Sequence, residues 1–148
     1  MPPLTAVIVD DATEYIQVVR LLLLRLPDLV TVVGEAANGE EALAVILRKR
    51  PDIVITDLVM PGLDGIGLTK HIRRELPQTS VILMSSFTED AYRLMASDSG
   101  ADSFVQKGVL YDALLPAVRD LISRRPAGGS GPLPPGAGSS PASAASPK

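Results

Sequence analysis

The chain of 148 residues contains no cysteine, no tryptophan and a single histidine, and aromatic residues make up only 3% of it. The absence of cysteine excludes disulfides, thiol catalysis and cysteine-based metal sites. The lone His71 excludes zinc sites built from several histidines and leaves little scope for histidine-based catalysis. Because aromatic residues are so few, the core has to be filled by leucine, isoleucine, valine and alanine.

Positive charge and long apolar runs are scarce as well. The formal net charge is −3, whereas a nucleic-acid-binding surface usually shows as a basic excess. The longest strongly apolar run, residues 21–24, is far too short to cross a bilayer, and no signal peptide is evident. We therefore expect a cytoplasmic protein that contacts neither a membrane nor, by this chain, nucleic acid.

The composition changes sharply after Arg125. Residues 126–148 are proline, glycine, serine and alanine, with only Leu133 and Lys148 as exceptions. Such a segment buries too little apolar surface to offset its ordering entropy, which predicts a disordered tail or linker. The 46% apolar content of the whole chain favours one packed domain, which we expect over residues 4–125.

Within the predicted domain, short apolar runs alternate with longer amphipathic stretches. Strands are predicted at residues 4–9, 30–36, 53–56, 80–84 and 103–106, and helices at 13–26, 39–50, 65–76, 89–99 and 111–124. The first, third and fourth strands are almost continuous in valine, isoleucine and leucine, which is typical of strands covered on both faces. Five such strand–helix units predict an α/β fold, a doubly wound parallel sheet with helices on both sides.

Polar side chains follow four of the five predicted strands. They are Asp10 and Asp11 after the first strand, Asp57 after the third, Ser85 after the fourth and Lys107 after the fifth. Open parallel sheets bind ligands beyond the carboxyl ends of their strands. In the strand order 2-1-3-4-5, one of the two common orders, neighbouring strands lie about 4.8 Å apart, so these side chains would converge.

This combination of side chains suits phosphoryl transfer. Three adjacent carboxylates repel one another and favour a bound cation, and hard oxygen ligands favour Mg²⁺. Asp57 would be the nucleophile, forming an acyl phosphate. Lys107 and the cation would neutralise the charge on the transferred group, and the Ser85 hydroxyl could donate to one of its oxygens.

Four segments resemble the receiver domains of response regulators, over about 120 residues. They are VIVDD at 7–11, DIVITDLVMPGLDG at 52–65, VILMSS at 81–86 and GADSFVQK at 100–107. The receiver domains that the chain resembles include those of chemotaxis regulators. The resemblance implies a flavodoxin-like fold with five strands in the order 2-1-3-4-5. It also implies a phosphoprotein of a two-component system, acting in phosphorelay signal transduction.

The same resemblance implies a role for each site residue. Asp57 would be the phosphoacceptor, and Lys107 would pair with the phosphate. Mg²⁺ would be bound by Asp11, Asp57 and the backbone carbonyl of Val59, with Asp10 acting through water. Ser85 would be the switch hydroxyl and Phe104 the aromatic ring that rotates with it.

The sequence departs from the pattern of many receivers at four positions. Gly108 follows Lys107, where proline is common, and the switch hydroxyl is Ser85 rather than threonine. Val59 and Phe87, two residues beyond Asp57 and Ser85, are apolar where many relatives have polar groups. Because apolar side chains there would hinder an attacking water, a slow loss of the phosphate is expected.

The expected function is a switch rather than an enzyme: a phosphoacceptor that assists its own phosphorylation and autodephosphorylation. A sensor histidine kinase or phosphotransfer protein would supply the phosphate. The surface of the fourth helix, fifth strand and fifth helix would then control a partner or effector. Phosphorylation could also lead to a homodimer, and the sequence does not decide this. The alternative is a receiver fragment of a DNA-binding transcriptional regulator that lacks its effector domain. An aspartyl phosphohydrolase and a receiver that only serves as a scaffold are two further readings.

Overall fold

Five parallel strands and five helices alternate along the computed structural model, which describes residues 2–87 and 89–125. The strands are β1 (Leu4–Val9), β2 (Val30–Ala36), β3 (Ile53–Asp57), β4 (Ser80–Ser85) and β5 (Ser103–Gln106). The helices are α1 (Thr13–Leu23), α2 (Gly39–Lys49), α3 (Gly65–Glu75), α4 (Asp90–Asp98) and α5 (Leu110–Arg124). The strand order is β2-β1-β3-β4-β5, which confirms the predicted doubly wound, flavodoxin-like sheet.

Two apolar layers cover the sheet, one on each face. On one face, side chains of α1 and α5 such as Val19 and Val118 pack against Ile8 and Ile55. On the other face, α2, α3 and α4 pack against the alternate residues of the same strands. All five residues of β3 are buried, as expected for the central strand of a sheet covered on both faces.

The strand boundaries lie within one residue of those predicted, and the largest difference is at the end of α1, which stops at Leu23 and not at residue 26. The N–H groups of Arg25 and Leu26 donate to carbonyls three residues earlier, in turns tighter than an α-helix.

A short 3-10 helix, Lys107–Val109, leads into α5, which begins at the buried Leu110. Pro116 is the seventh of the 15 residues of α5 and therefore lies in the middle of the helix. Its missing N–H and ring are accommodated in the helix interior, where proline normally costs about 3 kcal/mol.

The end of α5 is tied to the edge of the sheet where the strands begin. The Arg125 guanidinium contacts Asp52 Oδ1 at 3.3 Å, and Asp52 Oδ2 accepts a hydrogen bond from the Thr5 N–H. The predicted tail at 126–148 lies outside the described residues. Among the helices that the structure describes, none is long and apolar enough to cross a membrane.

Gly65, the first residue of α3, lies against the backbone of the last residue of β3. A Cβ atom added at Gly65 would lie 2.2 Å from the Asp57 carbonyl oxygen and 2.9 Å from the Leu58 Cα. The Gly65 N–H also donates a hydrogen bond to the Leu58 carbonyl oxygen. The position of Asp57 at the end of the sheet therefore depends on the absence of a side chain at Gly65.

We predict that Gly65→Ala lowers the free energy of unfolding by about 2–3 kcal/mol, because backbone atoms that cannot rotate away must be displaced. Urea denaturation measures the change. Gly108→Ala is the matched control, since no described atom lies within 4 Å of its added Cβ. An equal effect of the two substitutions would contradict the steric argument.

Candidate functional site

The polar residues predicted to act together lie at one edge of the sheet. The register pairs Val9 with Thr56, Asp57 with Met84, and Ser85 with Gln106. The residues that end or follow β1, β3, β4 and β5 therefore meet at the carboxyl ends of four neighbouring strands. This is the edge at which open α/β sheets bind their ligands.

The Lys107 ammonium lies between two carboxylates. Its Nζ is 2.7 Å from Asp10 Oδ2 and 3.3 Å from Asp57 Oδ1, and the Lys107 side chain is only 6% exposed. The aromatic ring of Tyr15, in the first turn of α1, lies on the ammonium as well, with Nζ 4.0 Å from the ring centroid. The Lys107 ammonium is thus held by two negative charges and an aromatic face.

The carboxylates near Lys107 carry more negative charge than its ammonium can neutralise. Carboxylate oxygens of Asp10, Asp11 and Asp57 all lie within 4.8 Å of one another. Asp10 and Asp57 are buried, whereas Asp11 is exposed. Because Lys107 offsets only one of the three charges, the cluster is electrostatically strained when all three carboxylates are ionised.

The pKa values of the buried residues reflect this imbalance. Burial, reinforced by the charge of Asp10, raises the pKa of Asp57 to about 6. Burial also raises the pKa of Asp10, although its contact with Lys107 acts in the opposite direction. For Lys107, burial lowers the pKa, but the hydrogen bond to Asp10 and the charge of Asp57 outweigh burial, so the net shift is upward.

The donor set fits a divalent cation. Three carboxylates with one ammonium leave two negative charges uncompensated, and oxygen ligands are those that Mg²⁺ prefers. One oxygen of Asp10, Oδ1, accepts a hydrogen bond from the Ala12 N–H at 2.9 Å. The other, Oδ2, is buried and, apart from the ion pair with Lys107, has no hydrogen-bond partner among residues 2–87 and 89–125. These residues could therefore hold a metal ion.

Ser85 and Phe104, the two predicted switch residues, have separate surroundings. Ser85 is buried, and its Oγ accepts a hydrogen bond from the Phe87 N–H at 2.9 Å. Phe104 is half-buried on β5, and the Arg93 guanidinium carbon lies 5.0 Å from the centroid of its ring. The Phe87 ring stacks on Tyr92 of α4 with a centroid distance of 4.6 Å.

Other acidic residues lie outside the cluster. Asp64 is the N-cap of α3, where its Oδ1 accepts a hydrogen bond from the Gly67 N–H. Glu35, near the end of the edge strand β2, forms an ion pair with Arg20. Val59 lies in the loop after β3, and its side chain is 47% exposed.

Sequence reasoning missed two residues of this region, Tyr15 and Arg93. Each makes an aromatic–cation contact: Tyr15 with Lys107, which is distant in sequence, and Arg93 with Phe104 of the next strand. Only Tyr15 had a usable signal, because an aromatic residue in the first turn after Asp10 and Asp11 has to lie near the same edge of the sheet. Arg93 is one of several charged residues on α4, and nothing in the sequence distinguishes it.

We predict that Asp57→Asn stabilises the metal-free protein at neutral pH by about 1–2 kcal/mol. The pKa of Asp57 is raised from 3.8 in the unfolded chain to about 6, so its ionisation disfavours the folded state above pH 6. The gain should be present above pH 6 and disappear as the pH falls through 6 towards 3.8.

Urea denaturation across this pH range measures the effect. Asp28→Asn, at an exposed position, is the matched control and should change stability little at any pH. A gain from Asp57→Asn that does not depend on pH would show that ionisation of Asp57 is not its cause.

Response regulators are among the known proteins that this chain resembles in sequence and fold. VraR of Staphylococcus aureus is 39% identical over 90 residues, which are 61% of this chain and 43% of VraR, so the chain spans less than half the length of that relative. The NarL receiver domain of Mycobacterium tuberculosis is 31% identical with a TM-score of 0.78, over 84% of this chain and all of that domain.

RcsB of Salmonella typhimurium, solved in a study of its DNA interaction, is 30% identical with a TM-score of 0.75. That match covers 84% of this chain and 63% of the RcsB chain. The family profile of the response regulator receiver domain matches residues 6–119, which include every residue of the acidic cluster and Lys107. The chain therefore belongs to the response regulator receiver domain family.

Proposed function

We propose that Asp57 accepts a phosphoryl group from a sensor histidine kinase or a phosphotransfer protein. The observation that supports this most directly is the contact of Lys107 with Asp57, 3.3 Å from Nζ to Oδ1, at the carboxyl end of the central strand. A buried ammonium beside a carboxylate neutralises the charge that an incoming phosphate brings. It also leaves the carboxylate able to attack, since most of Asp57 is ionised at pH 7 with a pKa of about 6.

In the proposed reaction, an Asp57 carboxylate oxygen attacks the phosphorus of the donor. The bond from phosphorus to the donor nitrogen or oxygen breaks, and the donor leaves with that electron pair. The products are the acyl phosphate of Asp57 and the donor, which takes up a proton from solvent where its departing atom requires one, and no oxidant or reductant is needed. As negative charge shifts from the Asp57 carboxylate to the phosphoryl oxygens, the Lys107 ammonium would move to contact those oxygens.

Mg²⁺ is the proposed cofactor. When bound, the ion would neutralise charge on the phosphoryl oxygens and orient the donor for an in-line attack. Its ligands would be Asp11, Asp57 and the backbone carbonyl of Val59, with Asp10 acting through water. Asp11 suits this role because it is the exposed member of the cluster and can exchange water for a ligand.

The proposed switch begins with the added charge of the phosphoryl group. To donate to a phosphoryl oxygen, the Ser85 hydroxyl has to move, and this motion strains its present contact with the Phe87 N–H. Phe104 could then turn into the space that the Ser85 loop leaves. That turn would change the surface of α4, β5 and α5, where Leu94 and Met95 are already exposed and available to a partner.

A second candidate is the receiver part of a DNA-binding transcriptional regulator. Its support is that the chain spans 43% of VraR and 63% of the RcsB chain solved in the study of DNA interaction. In this reading the phosphorylated surface controls an effector domain, or a homodimer, rather than a separate partner. The proposed chemistry at Asp57 is the same in both.

The two other readings fit the site less well. An aspartyl phosphohydrolase would need an acid two residues beyond its nucleophile, and that residue is the apolar Val59. A scaffold that no longer accepts phosphate would not need the costly burial of Asp10 and Asp57 beside Lys107. We therefore propose a phosphoacceptor that assists its own reaction and does not turn over substrates.

Our prediction for Asp57→Ala is a complete loss of acyl-phosphate formation from acetyl phosphate or a cognate kinase. Labelling is measured by intact mass, and the modified residue is mapped after borohydride reduction of the acyl phosphate. Asp28→Asn, exposed and outside the cluster, is the control and should label like the unaltered chain. Undiminished labelling of Asp57→Ala at another residue would overturn the assignment.

A second prediction concerns how long the phosphate lasts. Val59 and Phe87 are 47% and 39% exposed, so each can be replaced without opening the core. Polar residues at both sites (Val59→Asn with Phe87→Glu) should assist an attacking water and shorten the lifetime about tenfold. The measurement is the decay of the labelled species in the presence of Mg²⁺.

Phe87→Leu is the control for this test, because it removes the stacking on Tyr92 while leaving the position apolar. It should change the lifetime little. If the polar double variant keeps the original lifetime, the argument about water access is wrong.

A further inference from the structure

The Lys107 ammonium has a third neighbour that the phosphoryl-transfer chemistry does not itself require. Tyr15, the third residue of α1, places its ring centroid 4.0 Å from Nζ. The ring is half-buried and packs against the apolar layer between the sheet and helices α1 and α5. Its position is therefore set by the core and not by the contact with Lys107.

The ring takes the place of water at the ammonium. Lys107 has three N–H donors, and the carboxylates of Asp10 and Asp57 lie near enough to receive two of them. With its side chain only 6% exposed, the third direction is closed to bulk water. The face of an aromatic ring carries negative charge density, which stabilises a cation at this distance.

Lys107 needs such a contact because its backbone does little to fix the side chain. It begins a three-residue 3-10 helix, and the next residue, Gly108, has open space around its Cα among the described residues. The two carboxylates also attract the ammonium unequally, since Asp10 is nearer than Asp57, at 2.7 against 3.3 Å. Without the ring, the ammonium would be free to move towards Asp10 and take up water.

We propose that Tyr15 is a positioning residue, whose aromatic face holds the Lys107 ammonium within reach of the group that Asp57 accepts. This inference rests on the proposed phosphorylation of Asp57 and adds a residue to it. The ring has no fixed acceptor atom, so the ammonium can slide across it when the negative charge moves from the carboxylate to the phosphoryl oxygens. A carboxylate in the same place would hold the ammonium more tightly and resist that movement.

The test replaces Tyr15 by phenylalanine and then by phenylalanines with one, two and three ring fluorines. Fluorine withdraws charge from the ring face and changes its size little, so packing is preserved while the cation–π contact weakens. The readout is the maximal rate of Asp57 labelling by acetyl phosphate at saturating Mg²⁺, with the half-saturating acetyl phosphate concentration recorded separately.

Tyr15→Phe should label within about twofold of the unaltered chain, and each fluorine should lower the maximal rate further. The trifluorinated ring and Tyr15→Leu should be about three- to thirtyfold slower, the range expected for loss of one buried cation–π contact. The half-saturating concentration should move less than the maximal rate. In the NMR spectrum, the ε-methylene protons of Lys107 should lose their ring-current shift in Tyr15→Leu and keep it in Tyr15→Phe.

The same fluorinated series at Tyr111, which is 69% exposed on α5, is the control and should leave the rate unchanged. If the maximal labelling rate of the position-15 variants does not depend on their fluorine content, Tyr15 is not a positioning residue. This holds even if Tyr15→Leu is slow, because lost packing alone would then explain that variant. If the unaltered chain fails to label Asp57, the proposed function itself is wrong, and the inference about Tyr15 falls with it.

Discussion

The ion pair of Lys107 with Asp10 and Asp57 is the interaction on which the rest of the site depends. It joins the ends of β1, β3 and β5 through one ammonium that is almost fully removed from water. Burying these charges is costly, and the cost is only partly offset because three carboxylates face one cation. A cation bound to this cluster would therefore stabilise the folded protein, and we propose that the site reorganises when a phosphoryl group is added.

The packing of the strands and helices holds the residues of this ion pair in position. Because the strands are parallel, their carboxyl ends all lie at one edge of the sheet. An apolar layer packs on each face of the sheet and holds the strands in place. The close approach of Gly65 to the Asp57 backbone holds Asp57 at the end of the central strand. After β4, the Phe87 N–H donates a hydrogen bond to Ser85 and the Phe87 ring stacks on Tyr92.

Most of the fold could be predicted from the sequence, because continuous apolar runs specify the strands of a parallel sheet with little ambiguity. The bounds of β1 and β2 agree with the prediction to the residue. The end of α1 does not, since the apolar pattern continues to Leu26 while the backbone changes to tighter turns after Leu23. Within the site, Asp57 and Lys107 could be placed at the carboxyl ends of strands two spacings apart in the sheet. The contact of Tyr15 with Lys107 could not, because it depends on how α1 packs against the sheet.

The central claim is that this cluster receives a phosphoryl group at Asp57 with the help of a divalent cation. NMR spectra of the ¹⁵N-labelled chain, recorded with beryllofluoride as a phosphoryl mimic, test it most directly. Resonances of Asp57, Ser85, Phe104 and Lys107 should shift together only when beryllofluoride and Mg²⁺ are both present, and not in Asp57→Ala. Shifts that persist without Mg²⁺ or in Asp57→Ala, or no shifts at all, would contradict the account.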